Sequence, residues 1–241
     1  MKYIIAIIVI SIHIAGFLYL DNEMRRDKKV EESKVVQKKE VKKKKVVDLS
    51  RWGDNSETTR KIKHRRKKKS FASKYSYCLP FRGGNTFLVT QMEGVTHKGM
   101  AKHAIDFGLE EGAEITASRG GVVVAAVNRF SARGQTEDFY DKANHIIIDH
   151  GDGTFGMYAH LMPDGLKVDV GDNVKTGQSI GYSGETGYVS GAHLHFVIGY
   201  YNSDGYLEAL PVMFETLDRG RILLNAGQRY RSFSNCRNRK I

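Results

Sequence analysis

The chain has 241 residues and a formal net charge of +11, yet the excess is local. Residues 25–69 carry 20 basic and 7 acidic side chains, while 70–241 carries 17 and 18 and is close to neutral. A globular nucleic-acid binder shows its basic footprint on the fold itself, so that class is excluded and no specific nucleic-acid partner is expected.

Residues 3–20 (YIIAIIVISIHIAGFLYL) form an 18-residue apolar run with only Ser11 and His13 as polar breaks. That length reaches the lower edge for a membrane-spanning helix and exceeds the usual apolar region of a signal peptide. Residues 1–24 therefore read as one N-terminal hydrophobic helix, either a signal anchor or a signal peptide. Residues 25–69 have Trp52 as their one aromatic and the runs Lys42–Lys45 and Arg65–Lys69. So little apolar surface cannot offset ordering entropy, and the segment reads as a basic disordered linker. Its charge suits weak attachment to anionic lipid or an acidic wall polymer.

From residue 70 onward the texture changes to short β-branched or alternating runs. They are Thr86–Thr90, Ala104–Leu109, Gly121–Val127, Asn144–Asp149, Thr154–His160, Asn173–Tyr182 and His193–Tyr200. Turn signals separate them at Gly151-Asp152-Gly153, Pro163-Asp164-Gly165, Gly171-Asp172 and Ser183–Gly187. Strands at this spacing predict an all-β domain over 70–241. Cys78 and Cys236 bracket it. They are either two buried thiols or, in an oxidising compartment, a staple closing nearly the whole domain.

Four places carry chemistry. In His193-Leu194-His195, residues two apart on a strand share a face, so both imidazoles project together, as a zinc site or a ligand-plus-catalyst pair requires. Asp106 is a lone carboxylate inside the apolar strand Ala104–Phe107 and needs a cation if buried. His97 and His103 are its candidate partners. A separation of three puts His103 on the opposite strand face, whereas His97 sits in a Gly-containing loop free to fold back, so parity favours His97. His160 ends its strand run at a rim position, and His145 and His150 on the preceding strand read as ordinary surface residues. The stretch Gly171–Gly181 is glycine-punctuated strand and loop, in a texture shared with biotinyl and lipoyl carrier domains. No convincing modified lysine between paired methionines accompanies it.

Taken in order, His97, Asp106, Gly153-Thr154, Tyr158-Ala159-His160-Leu161, Gly177-Gln178-x-Ile180-Gly181, Gly184-x-Thr186-Gly187 and Gly191-x-His193-Leu194-His195-Phe196 resemble the lysostaphin-type zinc endopeptidases. The resemblance runs from about Leu79 to Val197, with a motif core over 79–200. It implies that His97, Asp106 and His195 are zinc ligands and that His160 and His193 are the catalytic pair. It also implies an antiparallel β-sheet core with an open groove, of lysostaphin-peptidase or barrel-sandwich-like form. Three departures stand out. His97 lies nine residues before Asp106 rather than four, Ala192 stands where proline is common, and Glu185 replaces a small or amide residue.

Three protein ligands leave a fourth zinc position open, which distinguishes a catalytic from a structural site. The expected function is a Zn2+-dependent endopeptidase that hydrolyses peptide cross-links of bacterial peptidoglycan, its partners being the peptide stems. The alternative is a non-catalytic wall-binding or amidase-activating domain of the same fold. A literal positive-inside count would keep 70–241 in the cytoplasm. The wall-directed chemistry demands the opposite, so the expected place is the cell envelope, anchored in the inner membrane facing the periplasm, or secreted.

Overall fold

β-branched and aromatic residues dominate the runs that form strands, because such side chains pack well on a pleated surface. The computed structural model describes residues 75–92, 97, 99–234 and 236. The hydrophobic run 3–20 and the basic segment 25–69 lie outside the described residues. Among the described residues, no helix is long and apolar enough to cross a membrane.

Along the chain, β1 (Tyr77–Cys78) and β2 (Thr86–Gln91) precede a 3-10 turn at Gly99–Ala101 and β3 (Ile105–Gly108). Next come β4 (Glu114–Thr116), β5 (Gly121–Val127), β6 (Arg133–Gly134) and a second 3-10 turn at Glu137–Phe139. The central strands are β7 (His145–Asp149), β8 (Phe155–Ala159) and β9 (Leu161–Leu166). They lead to β10 (Asn173–Val174), β11 (Ser179–Ser183), β12 (Gly187–Tyr188) and β13 (His193–Tyr201). β14 (Leu207–Ala209), β15 (Phe214–Thr216), β16 (Gly220–Ile222) and β17 (Arg229–Arg231) complete the order. The domain is all-β.

The main sheet runs β10-β5-β7-β8-β13-β3-β2-β17, with β14 added to β13, and every pairing in it is antiparallel. A smaller sheet, β4-β11-β9, packs in the same unit. The central strands are buried on both faces. Ile146, Ile148, Tyr158, Leu194, Phe196, Ile198 and Phe107 point into the larger core. Ile147, Met157, Ala159, Val197 and Ala104, each one residue out of phase, form a second, smaller core on the opposite face. Burial on both faces accounts for runs such as HLHFVIG reading as nearly continuous hydrophobic sequence.

Cys78 and Cys236 are joined by a disulfide, their Cα atoms 5.8 Å apart, across a separation of 158 residues. The bond fastens the first described strand to the end of the described chain.

The Pro163-Asp164-Gly165 signal lies inside β9 instead of ending a strand. Leu161 and Leu166 pair with Ser183 and Gly181, so five steps of β9 span two of β11. The surplus residues form an irregularity in the ladder, with exposed Asp164 in the left-handed region at φ 53. The turn chemistry is real, but the ladder resumes on both sides of it.

Candidate functional site

The site follows from strand parity. On β13, Leu194 and Phe196 are fully buried in the larger core, so His193 and His195 must project from the other face. On β3, Ile105 and Phe107 point into that same core, which sends Asp106 to the face of His195. The register places His195 opposite Asp106 on one side and opposite Ala159 on the other. One row across the sheet therefore reads His145, Ala159, His195, Asp106.

The two oxygens of Asp106 each meet an imidazole. His195 Nδ1 lies 2.8 Å from Oδ1, and His97 Nε2 lies 3.3 Å from Oδ2. All three residues are buried, and one ligand atom from each lies within 4.8 Å of the others. His97 arrives from the loop before the first 3-10 turn. His103 is half-buried and is not part of this group.

The electrostatics are those of a carboxylate between imidazoles. Burial would raise the Asp106 pKa, but hydrogen bonds and charge from His195 and His97 hold it well below the usual carboxylate range. Burial opposes protonation of His97, yet the bond and charge of Asp106 prevail and raise its pKa. His195 goes the other way: burial lowers its pKa, and with repulsion from His97 and His193 outweighs the bond and charge of Asp106. An ionised carboxylate with flanking imidazole nitrogens is a donor set that suits a divalent transition metal.

His160 sits between β8 and β9. A strand continued straight through it would send its side chain to the Tyr158 face. Its backbone instead adopts φ 65, a left-handed conformation costing a non-glycine residue about 1–2 kcal/mol. The ring centroid thereby lies 4.7 Å from that of His193 and 5.9 Å from that of His195. His160 Nδ1–H donates to the Thr186 carbonyl at 2.7 Å, and His193 Nδ1–H donates to the Gly191 carbonyl at 2.9 Å. A nitrogen facing a carbonyl must carry the proton, so each neutral ring keeps its lone pair on Nε2. Burial, then repulsion from His193 and His195, pushes the His160 pKa down to about 3. It is a neutral base across the physiological range.

Sequence reasoning misplaced two histidines at the surface. His145 and His150 are both buried, with Nδ1–H donating to the carbonyls of Ala143 and Gly120 at 2.9 and 3.0 Å. The missed signal is the run Ile146–Ile148 between them, which marks a strand with two covered faces. Asn144 and Thr186, both fully enclosed beside His160, carried no role in the sequence reading either.

Residues 100–206 match the family described as Peptidase family M23. Over that stretch the chain is similar to peptidase family M23. The M23 match covers β3 through β13 and so includes Asp106, His160, His193 and His195. Peptidoglycan DD-endopeptidase ShyA of Vibrio cholerae is 31% identical over 123 residues, 51% of this chain and 26% of its own length. Glycyl-glycine endopeptidase ALE-1 of Staphylococcus capitis is 38% identical over 95 residues, 39% of this chain and 23% of its own. The chain thus spans about a quarter of these curated relatives. Among solved structures, the catalytic domain of lysostaphin from Staphylococcus simulans is 28% identical, covering 52% of this chain and 88% of that one, with a TM-score of 0.39.

Proposed function

We propose that this domain is a zinc-dependent endopeptidase that hydrolyses peptide cross-links of bacterial peptidoglycan. The observation that carries the reading is the joint arrangement of two groups on one sheet face. Three buried donors, His97, Asp106 and His195, have ligand atoms within 4.8 Å of one another. Beside them stand two imidazoles whose Nδ1 atoms are committed to backbone carbonyls. A structural metal site has no use for the second pair; hydrolysis does. The names of the relatives, a peptidoglycan DD-endopeptidase and a glycyl-glycine endopeptidase, supply the substrate class.

In this reading His97, Asp106 and His195 hold the zinc, which supplies a Lewis acid that polarises a carbonyl and acidifies water. The donor set fits: two imidazoles and one carboxylate leave room for reactants, as catalytic zinc sites do. His160, neutral and with its lone pair on Nε2, takes a proton from the attacking water. His193, in the form whose Nε2 also carries a proton, donates from it at the same place to stabilise negative charge that develops in the transition state and to help protonate the leaving amine nitrogen. The products are a carboxylate and a free amine, so the cross-link opens with one water consumed.

The same reading puts the domain in the cell envelope, tethered by or released from the apolar run 3–20. The basic segment 25–69 would supply salt-sensitive attachment to anionic lipid or wall polymer. The test is digestion of purified cross-linked muropeptides by the full chain, with mass analysis of the products. Cleaved stems with one added water per bond are expected. Zinc-loaded protein that binds sacculi and never cuts them would instead make this a wall-binding or activating module.

A further inference from the structure

His160 is held by a closed set of hydrogen bonds drawn from three separate segments: the start of β9 and the loops before β7 and β12. The Asn144 backbone N–H donates to Thr186 Oγ1 at 3.0 Å, and that hydroxyl donates to the Leu161 carbonyl at 2.8 Å. The Leu161 N–H closes the triangle by donating to the Asn144 carbonyl at 3.1 Å. His160, the neighbour of Leu161, then donates from Nδ1 to the carbonyl of the same Thr186. All three corners of the triangle are enclosed, with exposures of 0% for Asn144, 2% for Thr186 and 0% for Leu161.

The triangle is anchored on both flanks. The Asn144 side chain makes a two-point bond to Phe130, accepting from its N–H at 3.0 Å and donating to its carbonyl at 2.8 Å. Beyond Thr186, Gly187 has φ 88, and a Cβ there would meet Ala143 at 2.9 Å. The backbone after Thr186 therefore lies directly on the residue before Asn144. The Asn144 N–H, the Thr186 hydroxyl, the Leu161 N–H and the His160 Nδ1–H each point at one acceptor within the cluster, so the segments cannot shift singly without stranding a buried polar group.

We propose that Asn144 and Thr186 are positioning residues of the hydrolytic site. Together they lock His160 in its left-handed backbone conformation and in the Nδ1–H tautomer, so that its Nε2 lone pair is presented beside His193. Neither touches the reacting atoms. The hydroxyl of Thr186 braces the Leu161 carbonyl that follows the strained residue, while its carbonyl accepts the hydrogen bond from His160 Nδ1–H. One residue thus fixes both the backbone and the ring of the base. Thr186 is more than a loop-packing residue because these two restraints act on a side chain the reaction uses. The inference rests on the peptidase reading above.

The test compares Thr186→Val, which keeps shape but removes the hydroxyl, with Thr186→Ser, which keeps the hydroxyl. In the zinc-loaded full chain, Thr186→Val should lower kcat by on the order of 10–100-fold, the scale on which misplacing a reacting group operates. KM and zinc content should stay within about twofold of the parent on that account. Thr186→Ser should recover most of the loss. In a His160→Ala background, Thr186→Val should add almost nothing, since both changes disable one group. Independently of turnover, nitrogen-15 histidine spectra should show the parent His160 as a single Nδ1–H tautomer and Thr186→Val as a mixture. If Thr186→Val does not fold, Asn144→Ser, which cuts the Phe130 anchor, takes its place in the same comparison. Parental kcat with an unmixed tautomer in the folded variant would overturn the proposal, as would losses that multiply with His160→Ala. A parent that never cleaves but shows the single tautomer, mixed in the variant, would sink the peptidase reading and leave the clamp standing.

Discussion

His150 shows how a single residue couples this fold to pH. Its Nδ1 proton is committed to the Gly120 carbonyl, and burial pushes its pKa down to about 4. An unfolded chain protonates it near 6.5. Because the folded pKa is the lower one, the stabilisation is complete above about 6.5 and is lost as pH falls from there toward 4. Urea unfolding at pH 7 and pH 4.5 should show the parent losing about 2 kcal/mol more than His150→Asn over that interval. Equal losses would mean the folded protein protonates His150 freely. Burial lowers the His145 pKa as well, so the variant should flatten the profile without levelling it. At the same scale, part of the site is legible and part is not. Asp106, His160, His193 and His195 stand out because their residue types and spacings are uncommon in apolar strands. Asn144 and Thr186 act through an N–H, carbonyls and a hydroxyl that nearly any loop contains, so Asn144 stands in no motif and Thr186, although part of Gly184-x-Thr186-Gly187, shows no role in its letters.

Elements repeat this division. β5, β7, β8 and β13 are readable because two-sided burial writes them as long β-branched and aromatic runs. The same parity that buries Leu194 and Phe196 presents His193 and His195 together, which makes a core argument and a site argument identical. Parity also separates the two candidates upstream of Asp106. The structure brings His97 onto the carboxylate and leaves His103 outside the donor group. Strands of two or three residues, such as β1, β4, β6 and β12, are too short to display any period. β9 was hidden for a different reason. Its Pro-Asp-Gly signal is a genuine local preference, overridden because the flanking residues still find ladder partners on β11.

For the whole molecule, the Cys78–Cys236 bond closes nearly all of the described domain into one loop. Cross-links over such spans act mainly by restricting the unfolded chain. Reduction, or Cys78→Ser with Cys236→Ser, should lower unfolding free energy by about 2–4 kcal/mol without altering zinc content. An unchanged urea midpoint would show that the bond does not form in solution. The staple and the site are independent in this account, since no residue of the His97–Asp106–His195 group lies on β1 or near the chain end.

The central claim is a division of labour on one sheet face: His97, Asp106 and His195 bind zinc, while His160 and His193 act on the substrate. The most direct test measures zinc by elemental analysis and muropeptide cleavage side by side in five alanine variants. The account predicts that His97→Ala and His195→Ala lose metal and activity together, and that His103→Ala keeps both. His160→Ala and His193→Ala should retain zinc and slow cleavage by on the order of 10²–10³-fold, the usual cost of removing one preorganised catalytic group. Zinc loss in His160→Ala or His193→Ala, zinc retained in His195→Ala, or parental cleavage in either member of the second pair would contradict it.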